Sequence, residues 1–233
     1  MRKLGLIGGL GPGATVHYYR ELVKQQAGEM LIIHADMDRV LGDVARGDRD
    51  GLAAYFARLI ERMADGGAEV AAVSAITAHF CIRELQKISV LPLVSIVDEV
   101  AQAIRSRGYQ KVALFGTRFV VGSRMFGMLE GIDVIVPDQV EEIHNAYMQT
   151  VEGGSEGRAI LTGIAHQLPV DAIVLAGTDL SLIFDESNTD FPHVDGAKVH
   201  IEAIVRELNR EAKSAKTECG AGNPARGPAF QRV

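Results

Sequence analysis

Cysteine is scarce: Cys81 and Cys219 are the only two in 233 residues. Two thiols so placed make no disulfide framework, and a reducing cytoplasm is the expected setting. Basic residues form no long block and the net charge is −6, which argues against a nucleic-acid partner. No apolar stretch approaches the roughly 18 residues of a membrane span, so no membrane contact is expected. The chain enters a strand-like run at Lys3, and no signal peptide is visible. What remains is a hydrophobic content of 47%, enough to bury a core as one large domain or two small ones.

Apolar runs alternate with helical periods along the chain. Strands are expected over 3–8, 30–34, 69–74 and 91–95, with helices over 14–27, 49–65 and 80–86 between them. Gly66-Gly67 ends the longest of these helices in the manner of C-terminal glycines. The pattern then restarts. Helices over 97–107, 119–130, 139–152 and 158–167 alternate with strands over 111–115, 133–137 and 172–175, and a last helix runs over about 197–212. Repeated βα units predict an α/β protein with two similar parallel-sheet, Rossmann-like lobes. The expected division is 1–96 plus 195–213, then 97–194. Residues 214–233, rich in Lys, Ala, Gly and Pro without periodicity, predict a disordered tail that carries Cys219.

In such sheets ligands sit beyond the carboxyl ends of the strands. Two loops there are alike: Ala75-Ile76-Thr77 after the third strand and Ala176-Gly177-Thr178 after the last expected one. The turn Gly8-Gly9-Leu10-Gly11-Pro12-Gly13-Ala14 joins the first strand to the first helix. Gly9-x-Gly11-x-x-Ala14, with Asp36 about 20 residues on, fits a loose dinucleotide fingerprint. It also fits a tight turn whose backbone N–H groups bind any anion, a carboxylate included; on that reading no cofactor is expected. His34, Asp36 and Asp38 share a face only while the strand stays extended, and no second ligand cluster is near, so no metal is expected either.

The run Gly5-Leu6-Ile7-Gly8-Gly9-Leu10-Gly11-Pro12-Gly13-Ala14-Thr15 followed by Tyr18-Tyr19 resembles the N-terminal signature of the aspartate/glutamate racemase superfamily. In order along the chain, Thr77-Ala78-His79 is similar to the end of a Cys-Asn-Thr-Ala-His loop. Leu114-Phe115-Gly116-Thr117-Arg118-Phe119 is similar to Leu-Leu-Gly-Thr-Arg-Tyr, and Ala176-Gly177-Thr178-Asp179-Leu180 to Gly-Cys-Thr-Glu-Ile. Phe191-Pro192-His193-Val194-Asp195, with His200 after it, resembles the closing Pro-Val-Phe-Asp segment and its helix. The resemblance spans about residues 1–210. It implies lobes related by a pseudo-twofold axis, cofactor-independent proton transfer, a small acidic substrate and a homodimer. In that family one cysteine from each lobe flanks the α-carbon of the substrate, one thiolate removing a proton and the other thiol returning one.

Both cysteines are missing. The first falls on Ala75, or on Ser74 in a longer variant of the loop, and the second on Gly177. Cys81 would have to leave a helix to replace either; a buried cysteine more often acts as a small hydrophobe. Such small residues would widen the cleft and suit a bulkier substrate. The catalytic candidates are then His79, Asp179, His200 and Ser74, with Gly9, Gly11, Thr77, Thr117, Arg118 and Thr178 as substrate-binding candidates. His79 is suited to acid–base work because imidazole titrates near neutrality; its structural alternative is a hydrogen bond near a helix start. His200 has the same two readings, and Asp179 is either a base, a partner for a histidine, or a helix cap. Arg118 is either a carboxylate partner or a surface arginine. The expected function is a racemase or isomerase acting on a small acidic amino acid or dicarboxylic acid through groups other than cysteine. A decarboxylase or lyase on an activated carboxylate, and a non-catalytic carboxylate-binding protein, are the alternatives.

Overall fold

The structure, a computed structural model, describes residues 1–9, 11–154 and 156–210. The expected tail over 214–233, with Cys219, lies outside the described residues.

The first half of the chain runs β1 (Leu4–Gly8), α1 (Pro12–Lys24), β2 (Met30–His34), α2 (Met37–Arg46), α3 (Arg49–Asp65), β3 (Val70–Val73), α4 (Ile82–Ile88) and β4 (Leu93–Val94). The second half runs α5 (Ile96–Ser106), β5 (Lys111–Phe115), α6 (Arg118–Gly122), β6 (Asp133–Ile135), α7 (Val140–Val151), α8 (Gly157–Ala165), β7 (Ala172–Leu175), β8 (His193–Asp195) and α9 (Gly196–Leu208). The strands form two parallel sheets, ordered β2-β1-β3-β4 and β6-β5-β7-β8. The two orders are the same, as a repeated βα pattern requires. In the first sheet Leu4 pairs with Met30 on one side and Val70 on the other. In the second, Val112 pairs with Val134 and Ala172. The inner strands β1, β3 and β7 are buried along their whole length, which is why they read as unbroken apolar runs.

Three local features depart from the expected pattern. The stretch after β2 holds a helix, α2, which the sequence reading leaves out. Asp36 caps it by accepting from the Arg39 N–H at 3.2 Å, and Gly47 closes it at φ 71°. The charged run from Arg46 to Asp50 therefore spans the end of α2 and the Asp48 cap of α3. The helix expected over 119–130 stops at Gly122. Ser123 turns its hydroxyl back onto the Phe119 and Val120 carbonyls, and Arg124, Met125 and Phe126 all take positive φ. Serine in that position competes with the helix for its own backbone groups. Finally, 193–195 forms the edge strand β8, which the sequence reading leaves out, and its last residue, Asp195, caps α9 through the Lys198 N–H at 3.0 Å.

The layers are exchanged at the two crossings. Helix α5 follows the first sheet but buries Ile96, Val97, Val100 and Ile104 in the core of the second. Helix α9 follows the second sheet but buries Ala197, Ile201, Ile204 and Leu208 against Leu4, Leu6, Val70 and Ala72 of the first. The two helices also pack on each other. Among the described residues no helix is long and apolar enough to cross a membrane. Ile204 is fully buried in this exchange, and Ile204→Ala is expected to cost about 2–5 kcal/mol in urea unfolding. A loss under about 1 kcal/mol would show that α9 does not hold the first sheet.

Candidate active site

The parallel strands bring four loops together at their carboxyl ends: Gly8-Gly9 after β1, Ser74 to Thr77 after β3, Gly116-Thr117 after β5, and Ala176 to Asp179 after β7. Hydrogen bonds tie the lobes across this junction. The Thr77 and Thr117 hydroxyls lie 3.1 Å apart, and the Thr178 hydroxyl donates to the Ser74 carbonyl at 3.0 Å. The Ala14 N–H donates to Asp179 Oδ1 at 2.9 Å. All four hydroxyl-bearing candidates, Ser74, Thr77, Thr117 and Thr178, are buried here.

Asp179 is the centre of the cluster. Helix α1 begins at a glycine and Pro12, with no side-chain cap and no acidic residue in its first turn. The Ala14 N–H is one of the amides such a start leaves unpaired, and the positive end of the helix favours a carboxylate there. Asp179 supplies it from the opposite lobe. Its other oxygen, Oδ2, accepts from the Tyr147 hydroxyl at 3.2 Å. Burial raises the Asp179 carboxyl above its usual range, and the Ala14 amide and Tyr147 hydroxyl draw it back. Burial and the neighbouring Asp179 push the Tyr147 phenol well above its ordinary value. A Cβ on Gly11 would overlap the Asp179 carboxylate, so Gly11 makes room for this contact rather than for an open anion pocket.

The second cysteine-equivalent position is filled from elsewhere in the fold. A Cβ on Gly177 would overlap the Tyr147 ring. Losing the side chain at 177 therefore does not widen the cleft on this side, as the sequence suggested; an aromatic ring from α7 takes the space. Nothing in the motif pattern marks Tyr147. It sits with Ile143, Ala146 and Thr150 on the buried face of α7 and reads as ordinary core. On the first lobe Ala75 is buried. Its neighbour in the glycine loop, Gly9, has φ 149°, and a Cβ there would lie 3.0 Å from both the Ala35 carbonyl and Met37 Sδ.

Both ring nitrogens of each histidine are engaged within the fold. His79 is buried, donates from Nδ1 to the Ala75 carbonyl at 2.8 Å, and accepts at Nε2 from the Ile96 N–H at 3.3 Å. His200 accepts at Nδ1 from the Tyr18 hydroxyl and donates from Nε2 to the Val94 carbonyl, both at 2.9 Å. Their rings meet edge to face, 6.0 Å between centroids. Burial lowers His79 to about 4, the Ala75 carbonyl opposing, and lowers His200 to about 3, with His79 adding to the effect. The pair fastens the β3 loop to β4, α5 and α9. Ser74 turns its hydroxyl onto the Ile7 carbonyl at 3.2 Å. Arg118 points away from the loops and pairs with Glu141 at the surface, 2.8 Å apart. Cys81 lies in the first-lobe core, its thiol pushed up to about 12 by burial, and is inert as the small hydrophobe expected.

Two outcomes follow from these contacts. Below pH 6.5 the unfolded chain protonates both histidines, while the folded chain keeps them neutral down to about 4 and about 3. Stability present above pH 6.5 is thus lost as pH falls through that window, by up to about 1.4 kcal/mol per pH unit for each histidine. The raised carboxyl of Asp179 works in the opposite sense and softens the slope. Urea midpoints at pH 7.5, 6 and 5 check this, and a flat series would refute the buried neutral pair. Gly177→Cys is expected to destabilise by about 1–3 kcal/mol through overpacking. Combined with Tyr147→Ala it should cost clearly less than the two losses summed; strict additivity would mean that the ring does not fill the space at 177.

Known proteins share this fold. An aspartate racemase homologue from Pyrococcus horikoshii superposes with a TM-score of 0.74 at 23% identity, over 89% of this chain and 99% of that one. A candidate Asp/Glu racemase from Yersinia pestis gives 0.74 at 27% identity, with the same coverage of 89% and 99%. Aspartate racemase of Picrophilus torridus gives 0.75 at 19% identity, over 89% and 94%. The sequence profile of the family described as Asp/Glu/hydantoin racemase matches residues 7–204. With two like-ordered parallel sheets, and the loops of both meeting at one junction, the chain belongs to the Asp/Glu/hydantoin racemase family.

Proposed function

We propose that this chain is a cofactor-independent racemase-type enzyme that moves a proton at the carbon beside the carboxylate of a small acid, using Asp179 and Tyr147 where relatives of the resembled family use a thiol. The observation that carries the reading is the buried Asp179–Tyr147 hydrogen bond beside Gly177, with the Tyr147 ring in the space of the missing side chain. Removing a proton from a carbon acid needs a base whose pKa is lifted toward the working pH, and burial lifts Asp179 in that direction. When the lobes part, the Thr77–Thr117 and Asp179–Ala14 contacts open. The two threonine hydroxyls and the Ala14 amide are then available to a substrate carboxylate, and the Asp179 carboxylate is available to the α-proton. Tyr147, hydrogen-bonded to Asp179, stabilises the charge that develops; a proton returned by this pair reaches the same face, so exchange of the α-proton is the step the pair supports. His79 and His200 serve this scheme as fastenings of the loop, not as acids or bases.

The test is hydrogen exchange at the α-carbon of small acids in D₂O, followed by NMR. Asp179→Asn is expected to lower exchange by about 10²-fold or more, and Tyr147→Phe to lower it without loss of the fold. His79→Gln is expected to lower thermal stability while keeping most of the exchange rate. Unchanged exchange in Asp179→Asn would remove the proposal.

A further inference from the structure

Beside the loop junction lies a cavity of about 460 Å³, bounded by α2 of the first lobe and by α6 and α7 of the second. Its size suits a small organic ligand. Two cavities of similar size elsewhere, about 550 Å³ and about 450 Å³, are rich in charged side chains and hold none of the loop threonines. This one differs on both counts. Its walls are Leu41, Ala45, Phe119, Met148 and Val151, and no Lys, Arg, Asp or Glu lines it. Thr117 and Tyr147 belong at once to its lining and to the cluster around Asp179, so the cavity opens directly on the proposed chemistry. Leu41 and Phe119 remain large exposed apolar residues, left uncovered where α2 faces α6.

A second carboxylate placed here would be buried without a cation, at a cost of several kcal/mol. Arg118, the nearest candidate by sequence, is held by Glu141. The polar side chains in the wall are few: Thr117 and Tyr147, whose hydroxyls are engaged with Thr77 and Asp179, and His144. Burial and then the charge of Arg118 lower His144 below its usual value, Glu141 opposing.

We infer that the substrate is a monocarboxylic acid whose α-carbon carries one apolar group of aromatic or branched-aliphatic size, that group filling the cavity between α2, α6 and α7. The assignment rests on the proposed function for the position of the carboxylate at Thr77 and Thr117, and on the cavity alone for the apolar group. It departs from the small acidic substrate that the resemblance implies, and it restores the bulkier substrate suggested by the absent cysteines, seated beyond Gly177 rather than at it.

Isothermal titration calorimetry on the full chain tests it with phenylacetate, 2-phenylpropionate, succinate and aspartate. The two aryl acids are expected to bind at least about tenfold tighter than succinate or aspartate. Ala45→Trp, at an exposed position on the cavity wall, should fill the space and weaken phenylacetate at least about tenfold with little change in thermal midpoint. Leu41→Lys should do the same by polarity. Equal or tighter binding of succinate, no heat with either aryl acid at millimolar concentration, or unchanged phenylacetate affinity in both variants would each overturn the inference. Exchange of the α-proton of 2-phenylpropionate in D₂O is read separately. Tight binding without exchange would keep the pocket assignment and remove the proton-transfer reading; exchange of aspartate without aryl binding would do the reverse.

Discussion

The carboxylate of Asp179 belongs to the second lobe by sequence and to the first by hydrogen bonding. It completes the start of α1, a helix whose own first turn offers no acid and no cap. Leaving the Ala14 amide unpaired in a buried junction would cost about 1–3 kcal/mol, so closure of the lobes and satisfaction of the helix are one event. Gly11 must lack a side chain for the carboxylate to arrive, and Gly177 must lack one for Tyr147 to reach it. Both glycines, the tyrosine and the approach of the lobes are therefore consequences of one buried anion.

The two halves share a strand order, yet their loops have diverged in kind. On the first lobe the β3 loop is immobilised by an imidazole that satisfies one carbonyl and one amide, and its cysteine-equivalent residue is an alanine. On the second lobe the corresponding loop carries the ionisable group, backed by a phenol from α7. A pair of opposed thiols treats both faces of a substrate alike. Here Asp179 and Tyr147 stand on the second-lobe side and the first-lobe position holds Ala75, so the two sides of the junction are chemically unequal.

Much of the fold was legible because burial leaves a plain mark. The strands at Met30–His34, Lys111–Phe115 and Ala172–Leu175 coincide with the apolar runs, and α3 with its bounds at Asp48 and Gly66-Gly67. Helix α2 was legible in principle: its Asp36 cap, its terminal Gly47 and the helical spacing of Met37, Val40, Leu41, Val44 and Ala45 are all present, and only its short length between β2 and the charged residues that follow hid it. The break after Gly122 depends on a serine hydroxyl folding back, which periodicity does not register. In the site, the threonine loops were legible from their repeated placement after inner strands. The state of the histidines was not: the partner of His200 at Val94 is 106 residues away, and only tertiary packing says that its nitrogens are already engaged. Tyr147 was invisible for the opposite reason, since a tyrosine on the apolar face of a helix reads as core until a neighbouring glycine is seen to leave room for it.

The exchange of α5 and α9 bears on how the molecule is made. The face of the first sheet that bears Leu4, Leu6, Val70 and Ala72 is covered by residues of α9, the last helix among the described residues. A nascent chain with the first 95 residues has its strands, α1 and α3, but lacks the part of the cover that α9 supplies, and an incompletely covered apolar sheet attracts chaperones and other nascent chains. The first lobe thus has to wait for the second to be translated. Acquisition of its native packing falls after synthesis of α9 and not domain by domain during elongation.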